Sequence, residues 1–188
     1  MDYKDLFHKM VRLLSAPGKF WDELDEESGR NVQMGFVYPL IGLCGLSEFL
    51  GAFIGHEVSP EFFQWALTRC CAVAVALFGG FFLAAYLLGK IGRTWFRHSA
   101  SREELLAFAG YSMVVVFVMN VVGGLYSIVI LQWILQLYTI VVVFEGARRF
   151  LKVPERRLTG YTLTASILIL LSPALIEYIF NELTVILN

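Results

Sequence analysis

Charged residues are scarce in this chain, and one long stretch lacks them altogether. Only 16% of its 188 residues are Asp, Glu, Lys or Arg, whereas 57% are hydrophobic. No charged residue occurs between residues 105 and 144. A soluble domain would leave this much apolar surface in water, so the composition excludes that class and predicts a protein whose solvent is the lipid bilayer.

Residues that carry enzyme chemistry are also few, and their positions exclude the common membrane enzymes. Every Asp lies at or before Asp25, so a pair of aspartates within the membrane is impossible. His56-Glu57 is not followed by a second His at helical spacing, and the three cysteines lack the spacing of metal ligands. We therefore expect no catalysis, no cofactor, no metal and no nucleic-acid partner.

Lys and Arg are absent from most of the apolar chain and are concentrated in three clusters. Positive charge is retained on the cytoplasmic side of a bilayer, so all three clusters are predicted to be cytoplasmic. The amino terminus is then inside and the carboxyl terminus outside. Of the 15 basic residues only Arg69 lies outside the clusters. The clusters comprise Lys4, Lys9, Arg12, Lys19 and Arg30, then Lys90, Arg93, Arg97 and Arg102, then Arg148, Arg149, Lys152, Arg156 and Arg157.

Long apolar runs predict five transmembrane helices, because about 20 apolar residues in a helix cross a hydrocarbon core roughly 30 Å thick. As one helix, residues 105–144 would be about 60 Å long, so we expect a hairpin there. Its turn is predicted at Asn120-Val121-Val122-Gly123-Gly124, since Gly and Asn tolerate the backbone angles of a tight reversal. The five spans are about 34–54, 62–89, 105–122, 125–144 and 158–179.

The predicted fold is an all-α bundle of these five transmembrane helices, residues 34–188, preceded by a cytoplasmic amphipathic leader, residues 1–33. Within the leader, Tyr3 to Leu14 sort apolar and charged side chains onto opposite faces of a helix. This helix could lie on anionic headgroups, or it could pack against the cytoplasmic ends of the bundle. Ala16-Pro17-Gly18 should end it, and a second helix is expected over Lys19–Ser28.

Four polar residues inside the predicted spans need an explanation, because a lone charge in hydrocarbon is costly. At the rise of a helix, Glu48 lies about 21 Å and Arg69 about 20 Å from the cytoplasmic surface, so an ion pair is expected. Gln132 lies at a similar level and Glu177 somewhat higher, and both could join the pair. Two interpretations are open. The cluster sets helix register, or it lines a polar cavity that opens to the outside and takes a proton or cation.

Basic residues at the predicted cytoplasmic end also have two interpretations. They could simply set the orientation of the helices. They could instead bind anionic lipid headgroups or a cytoplasmic protein partner, since each Lys or Arg near an anionic surface contributes on the order of 1 kcal/mol. Six of these residues are called the basic face below: Arg93, Arg97, Arg148, Arg149, Arg156 and Arg157.

One serine and several prolines and glycines mark local features of the helices. Ser101 with Glu104 has the spacing of a capping box and is expected to start the third span. Pro39 and Pro173 can kink the first and fifth spans. Gly51-Ala-Phe-Ile-Gly55 has the small-xxx-small spacing that lets two helices approach closely.

Three features of the sequence resemble the Yip1 domain family. Pro17 and Trp21, in the segment from Leu14 to Leu24, are similar to the Pro-x-x-x-Trp-x-x-Leu/Ile entry of its bacterial members. Gly110-Tyr111-Ser112 resembles the Gly-Tyr-Ser start of the family's third span. The third feature is the pair of short third and fourth spans, joined by an almost loopless turn.

The resemblance implies a non-enzymatic membrane protein that organises membranes or binds partners. The eukaryotic branch is associated with vesicle traffic and Rab-type GTPases, but its Asp-Leu-Tyr-Gly-Pro sequence and long amino-terminal region are absent here. The resemblance is to the compact bacterial form, so a bacterial inner membrane is expected. The alternative is a small ion- or proton-coupled transporter or channel built on Glu48, Arg69 and Glu177. A short chain could reach transporter size by forming a homo-oligomer.

Overall fold

The computed structural model describes residues 3–24, 31–54, 59–125 and 129–187, without the side chains of 129–133 and 184–187. Every secondary-structure element in these ranges is helical, which agrees with the predicted all-α class. A π-helical turn, Gln33–Val37, leads directly into the third α-helix. The α-helices are α1 (Tyr3–Ser15), α2 (Pro17–Glu23), α3 (Tyr38–Ala52), α4 (Pro60–Trp95), α5 (Arg102–Ser112), α6 (Val114–Leu125), α7 (Val129–Arg149) and α8 (Glu155–Leu187).

Among the described residues, four helical segments are long and apolar enough to cross a membrane: Gln33–Ala52, Pro60–Trp95, Arg102–Leu125 and Glu155–Leu183. Between the third and fourth of them lies α7, a helix of 21 residues. Because some of its side chains lie outside the described residues, the count of five spans stays a prediction.

The longest helix, α4, exceeds the thickness of a bilayer. Its 36 residues rise about 54 Å, against a hydrocarbon core of roughly 30 Å. Ser59 caps its amino end, where the hydroxyl accepts a hydrogen bond from the Phe62 backbone N–H at 3.1 Å. Lys90 and Arg93 lie near its other end. The two ends of α4 together therefore extend roughly 24 Å beyond the hydrocarbon.

The helices α3 and α4 form an antiparallel pair. Glu48 of α3 pairs with Arg69 of α4, which lies in the first third of that helix. Directly after α3, the Phe53 ring packs on Phe62 at the start of α4, with ring centroids 5.5 Å apart. The amino end of α3 and the carboxyl end of α4 therefore lie at the same end of the bundle.

A second antiparallel pair, α4 and α8, has glycines of α4 at its contact. An added Cβ at Gly80 would lie 2.6 Å from the Pro173 backbone, and one at Gly92 would lie 3.8 Å from the Tyr161 ring. Pro173 lies inside α8. The backbones of the two helices therefore meet directly beside the proline, where a larger residue at position 80 would not fit.

The helices α3 and α6 run parallel and are joined through small residues. The Ser47 hydroxyl donates to the Val121 carbonyl at 2.6 Å. One turn further, an added Cβ at Gly51 would lie 1.6 Å from the Gly124 carbonyl oxygen, so the two backbones touch. Gly51 therefore forms a close helix contact of the kind that the small-xxx-small spacing predicted. Gly55, the other glycine of that spacing, lies outside the described residues.

The predicted turn at Asn120-Val121-Val122-Gly123-Gly124 is wrong. All five residues are helical, and α6 continues to Leu125. Asn120 donates its side-chain amide to the Val116 carbonyl of the same helix at 2.8 Å. Gly124 serves the contact with Gly51, where no side chain fits between the two backbones. The chain connects to α7 through residues 126–128, which lie outside the described part.

Residues of all three basic clusters meet at one end of the bundle, which we call the basic end. The Arg157 guanidinium, at the start of α8, donates to the Phe96 carbonyl just after α4. Arg149, at the end of α7, pairs with Asp22 of α2. These contacts join the ends of helices that are far apart in the sequence, as alternating helix directions require.

Two apolar stripes run along α1. Leu6 and Leu13 are buried against the bundle, whereas Tyr3, Phe7 and Val11 are exposed. The first stripe matches the interpretation in which this helix packs on the bundle. The second stripe follows the i, i+4, i+8 spacing of one helix face and leaves that face open to a membrane surface.

Local signals in the sequence are found where they were predicted. The break in the leader lies between α1 and α2, and Pro17 opens α2. This helix ends at Glu23 and Leu24 is extended, so the prediction of one helix over Lys19–Ser28 is wrong at Leu24. Residues 25–28 lie outside the described part. The π-helical turn ends two residues before Pro39, whose backbone nitrogen carries no hydrogen to donate. Ser101 and Glu104 form the capping box, with bonds of 3.1 and 2.7 Å.

Candidate functional site

Trp21 fixes the leader to the bundle at the basic end. Its side chain is 2% exposed, and its indole N–H donates to the Val142 carbonyl at 3.1 Å. Phe108 and Tyr111 of α5 pack against it, with ring centroids 5.8 and 6.0 Å away. An added Cβ at Gly146 would lie 2.7 Å from the indole, so α7 approaches closely here. Trp21 therefore fills a pocket between α5 and α7.

The structure brings together the residues that carry the predicted family motif. Pro17 opens the helix that holds Trp21, and Trp21 packs on Tyr111. An added Cβ at Gly110 would lie 2.8 Å from a side chain of the first span, so this glycine lets α5 contact that span. Ser112 is buried, and its hydroxyl has no partner among the described atoms. The motif is a packing centre within the bundle.

A set of ion pairs ties the leader to α7. Arg149 donates to both Glu145 of its own helix and Asp22 of α2. Arg149 lies beyond the predicted end of the fourth span, and Glu145 above all, with Asp22, raises the pKa of its guanidinium. Arg12 of α1 pairs with Glu23 of α2. Most of these groups are well exposed, so water and salt screen the pairs and they contribute little to stability.

Three residues of the basic face are used within the bundle. Arg149 forms the pairs just described, and Arg148 lies 3.7 Å from Glu155. Arg157 donates to the Phe96 carbonyl, one of the last carbonyls at the carboxyl end of α4. These three arginines therefore join segments of the chain and have less charge to offer an outside partner.

The other three residues of the basic face, Arg93, Arg97 and Arg156, are exposed and form no ion pair within the described ranges. The Arg93 Nε donates to the Gly89 carbonyl of its own helix at 3.2 Å. Arg102 was not predicted as part of the basic face, but it is exposed and lines the same groove as Arg93. Its membership of the second basic cluster was the signal that could have identified it.

Glu48 and Arg69 lie at the same level and form an ion pair. The Glu48 side chain is 11% exposed, whereas that of Arg69 is half exposed. The Arg69 guanidinium lies 5.0 Å from the centre of the Trp65 ring, a cation–π contact. A nearly buried carboxylate is thus neutralised by a cation that reaches the surface across an aromatic ring.

Glu177 lies in a different place from this pair. It lines a cavity of about 510 Å³ between helices α4, α6, α7 and α8, whose described lining includes neither Glu48 nor Arg69. The side chain of Gln132 lies outside the described residues. Of the predicted four-residue cluster, the described contacts show only the Glu48–Arg69 pair. The transporter alternative required two carboxylates beside one guanidinium, so it gains no support from this arrangement.

Two amide side chains near Glu177 were not predicted from the sequence. Asn120 of α6 and Gln136 of α7 line the same cavity. Gln136 follows Gln132 by one helical turn, and a second amide at that spacing in an apolar helix was the available signal. Asn120 falls in the predicted turn, so the sequence did not indicate it as a polar group within a span.

Comparison with known protein families gives a match over most of the chain. The model of the Yip1 domain matches residues 11–176. This range includes both parts of the predicted motif, the basic face and the Glu48–Arg69 pair. No curated protein and no solved structure matches the chain.

Proposed function

Because this chain belongs to the Yip1 domain family, which is not known for enzymes, we propose that it is a non-enzymatic membrane-organising protein. Its basic face gathers anionic lipid or binds a cytoplasmic partner. The observation that carries the proposal is the meeting of all three basic clusters at one end, where Arg93, Arg97 and Arg156 are exposed. No carboxylate within the described ranges pairs with these three.

The proposed orientation puts the basic end in the cytoplasm of a bacterium, with five spans crossing the inner membrane. The amino terminus is then inside and the carboxyl terminus outside. The positive-inside rule supports this orientation. Lys90 and Arg93 lie near the carboxyl end of α4, and Arg69 is the only Lys or Arg in the other half of that helix. If α7 is the fourth span, its carboxyl end lies on the same side of the membrane as the carboxyl end of α4.

Unpaired guanidinium groups explain how such an end would act on a membrane. Each basic residue near an anionic leaflet contributes about 1 kcal/mol, and the attraction falls off within a Debye length of about 8 Å. A paired arginine contributes less, because the carboxylate beside it cancels much of its field. Arg97 and Arg156 should therefore carry much of the attraction, and Arg148 and Arg149 much less.

Lateral enrichment of an anionic lipid tests this proposal. The full chain would be reconstituted into phosphatidylcholine vesicles that contain a small fraction of dye-labelled phosphatidylglycerol, whose self-quenching reports clustering. We expect the wild type to cluster the dye. The R97Q/R156Q variant should bind it about 30-fold more weakly, as two groups of about 1 kcal/mol each imply. The R97K/R156K variant keeps both charges and should behave as the wild type.

Salt provides an independent control, because raised ionic strength screens exposed charges and should abolish the clustering. Equal self-quenching in wild type and R97Q/R156Q would contradict a role for the basic face in gathering lipid. If the wild type clusters no lipid at low salt, the membrane-organising role is wrong.

A further inference from the structure

A groove lies between α4 and α5 at the basic end. Its volume is about 460 Å³. Apolar side chains form much of its wall, among them Phe82, Ala85 and Leu106, and Arg93 and Arg102 complete the lining. Along α4, Phe82 and Arg93 are separated by about 16 Å of helix. The groove therefore combines an apolar strip with two cations at one end of it.

We propose that this groove binds one anionic phospholipid of the cytoplasmic leaflet. Its phosphate lies between Arg93 and Arg102, and part of an acyl chain lies against Phe82 and Ala85. This assignment rests on the proposed function, because the basic end must face the cytoplasmic leaflet. It goes beyond that function by naming a discrete site with its own ligand, separate from the diffuse attraction of Arg97 and Arg156.

The charges around the groove favour an anion. Arg93 and Arg102 are both exposed, and neither pairs with a carboxylate in the described part of the chain. Of the nearby acids, Glu104 accepts the Ser101 backbone N–H at 2.7 Å, which holds its carboxylate at the amino end of α5. A phosphate would satisfy both guanidinium groups, since arginine binds phosphate oxygens through two parallel N–H groups.

The depth of the groove favours a lipid over a soluble phosphate compound. The charge-free part of the third span starts at Leu105, so Arg102 lies within about 5 Å of the hydrocarbon edge. Tyr86 also lines the groove and is 63% exposed. Exposed tyrosines with apolar surroundings are typical of the membrane–water interface. The two arginines are therefore at headgroup level, with the apolar strip reaching toward the acyl chains.

The close contact of α4 with α5 gives the groove a defined floor. An added Cβ at Gly89 would lie 2.7 Å from the Leu105 side chain, so the helices meet at this residue. The hydrogen bond from the Arg93 Nε to the Gly89 carbonyl holds that guanidinium along α4, beside the same point. One cation of the site is thus positioned before a lipid arrives, which reduces the entropy lost on binding.

Native mass spectrometry of the delipidated full chain, titrated with phosphatidylglycerol, tests this site. We expect one lipid to be retained with clear preference over the later ones. The R93Q/R102Q variant should bind that lipid about 10- to 30-fold more weakly. The matched control K19Q/K152Q removes two charges from the same end of the bundle, at residues that do not line the groove, and should bind as the wild type. R93K/R102K should recover only part of the affinity, because lysine lacks the paired donors.

Two further ligands separate the possible sources of the phosphate. Phosphatidylcholine has the same chains without net charge and should bind more weakly than phosphatidylglycerol. Glycerol phosphate has no acyl chain and should not displace the lipid. Equal loss of lipid in R93Q/R102Q and K19Q/K152Q would overturn the site, as would full competition by glycerol phosphate. If lipid retention depends on Arg93 and Arg102 but vesicles show no clustering through Arg97 and Arg156, the site stands and the membrane-organising role fails.

Discussion

Replacing Arg69 by Met should destabilise the protein more than replacing Glu48 by Gln. In the Arg69→Met variant the Glu48 carboxylate, only 11% exposed, loses its cation. A buried charge left without a partner costs about 3–5 kcal/mol. In the Glu48→Gln variant the half-exposed Arg69 keeps its contact with Trp65 and can reach the headgroups. That change should therefore cost only about 1–2 kcal/mol.

The double substitution E48Q/R69M removes both charges and should cost little more than E48Q alone. The coupling energy between the two sites is then about 2 kcal/mol or more. Denaturant unfolding of the full chain in detergent micelles measures all three variants. Glu182→Gln provides the control, since Glu182 is exposed near the end of α8 and should change stability by no more than about 0.5 kcal/mol. A double variant as unstable as the sum of the single ones would refute the reasoning.

Three further substitutions test the packing of the bundle with the same unfolding measurement. Trp21→Ala empties the pocket between α5 and α7 and should lower the free energy of unfolding by about 3–5 kcal/mol, whereas Trp95→Ala, at a site 69% exposed, should change it little. Gly51→Ala forces a Cβ against the Gly124 carbonyl and should prevent the native contact of α3 with α6. Gly42→Ala, in the same helix with no atom within 4 Å of the added Cβ, should leave the midpoint unchanged or slightly higher. Ser101→Ala removes the cap of α5 and should cost about 1 kcal/mol. Equal midpoints for the Trp21 and Trp95 variants, or for the Gly51 and Gly42 variants, would contradict the packing described.

The leader and the basic face are joined by direct contacts at the basic end. Trp21 anchors α2 between α5 and α7, and Arg149 pairs with Asp22 directly beside it. A movement of α2 would therefore act directly on Arg149 of α7 through the Asp22–Arg149 pair. The exposed stripe on α1 that includes Phe7 is a further apolar surface of the leader.

Hydropathy and charge alone determined the class of this protein and much of its local structure. A helix in lipid satisfies its own backbone, so long apolar runs mark where the helices must lie. The level of Glu48 and Arg69 follows from counting residues along two helices. The capping box of Ser101 and Glu104 spans four residues, and its partners are therefore present in the local sequence.

Only the tertiary structure decided how the helices are rotated and where their backbones meet. Depth along a helix does not specify the direction in which a side chain points, and Glu177 lines a cavity whose described lining includes neither Glu48 nor Arg69. Glycine is suited both to a chain reversal and to a close contact between two helices. Gly124 has the second role, because it packs against Gly51 of α3. Both outcomes depend on residues far apart in the sequence, whose contacts form only when all the helices pack together.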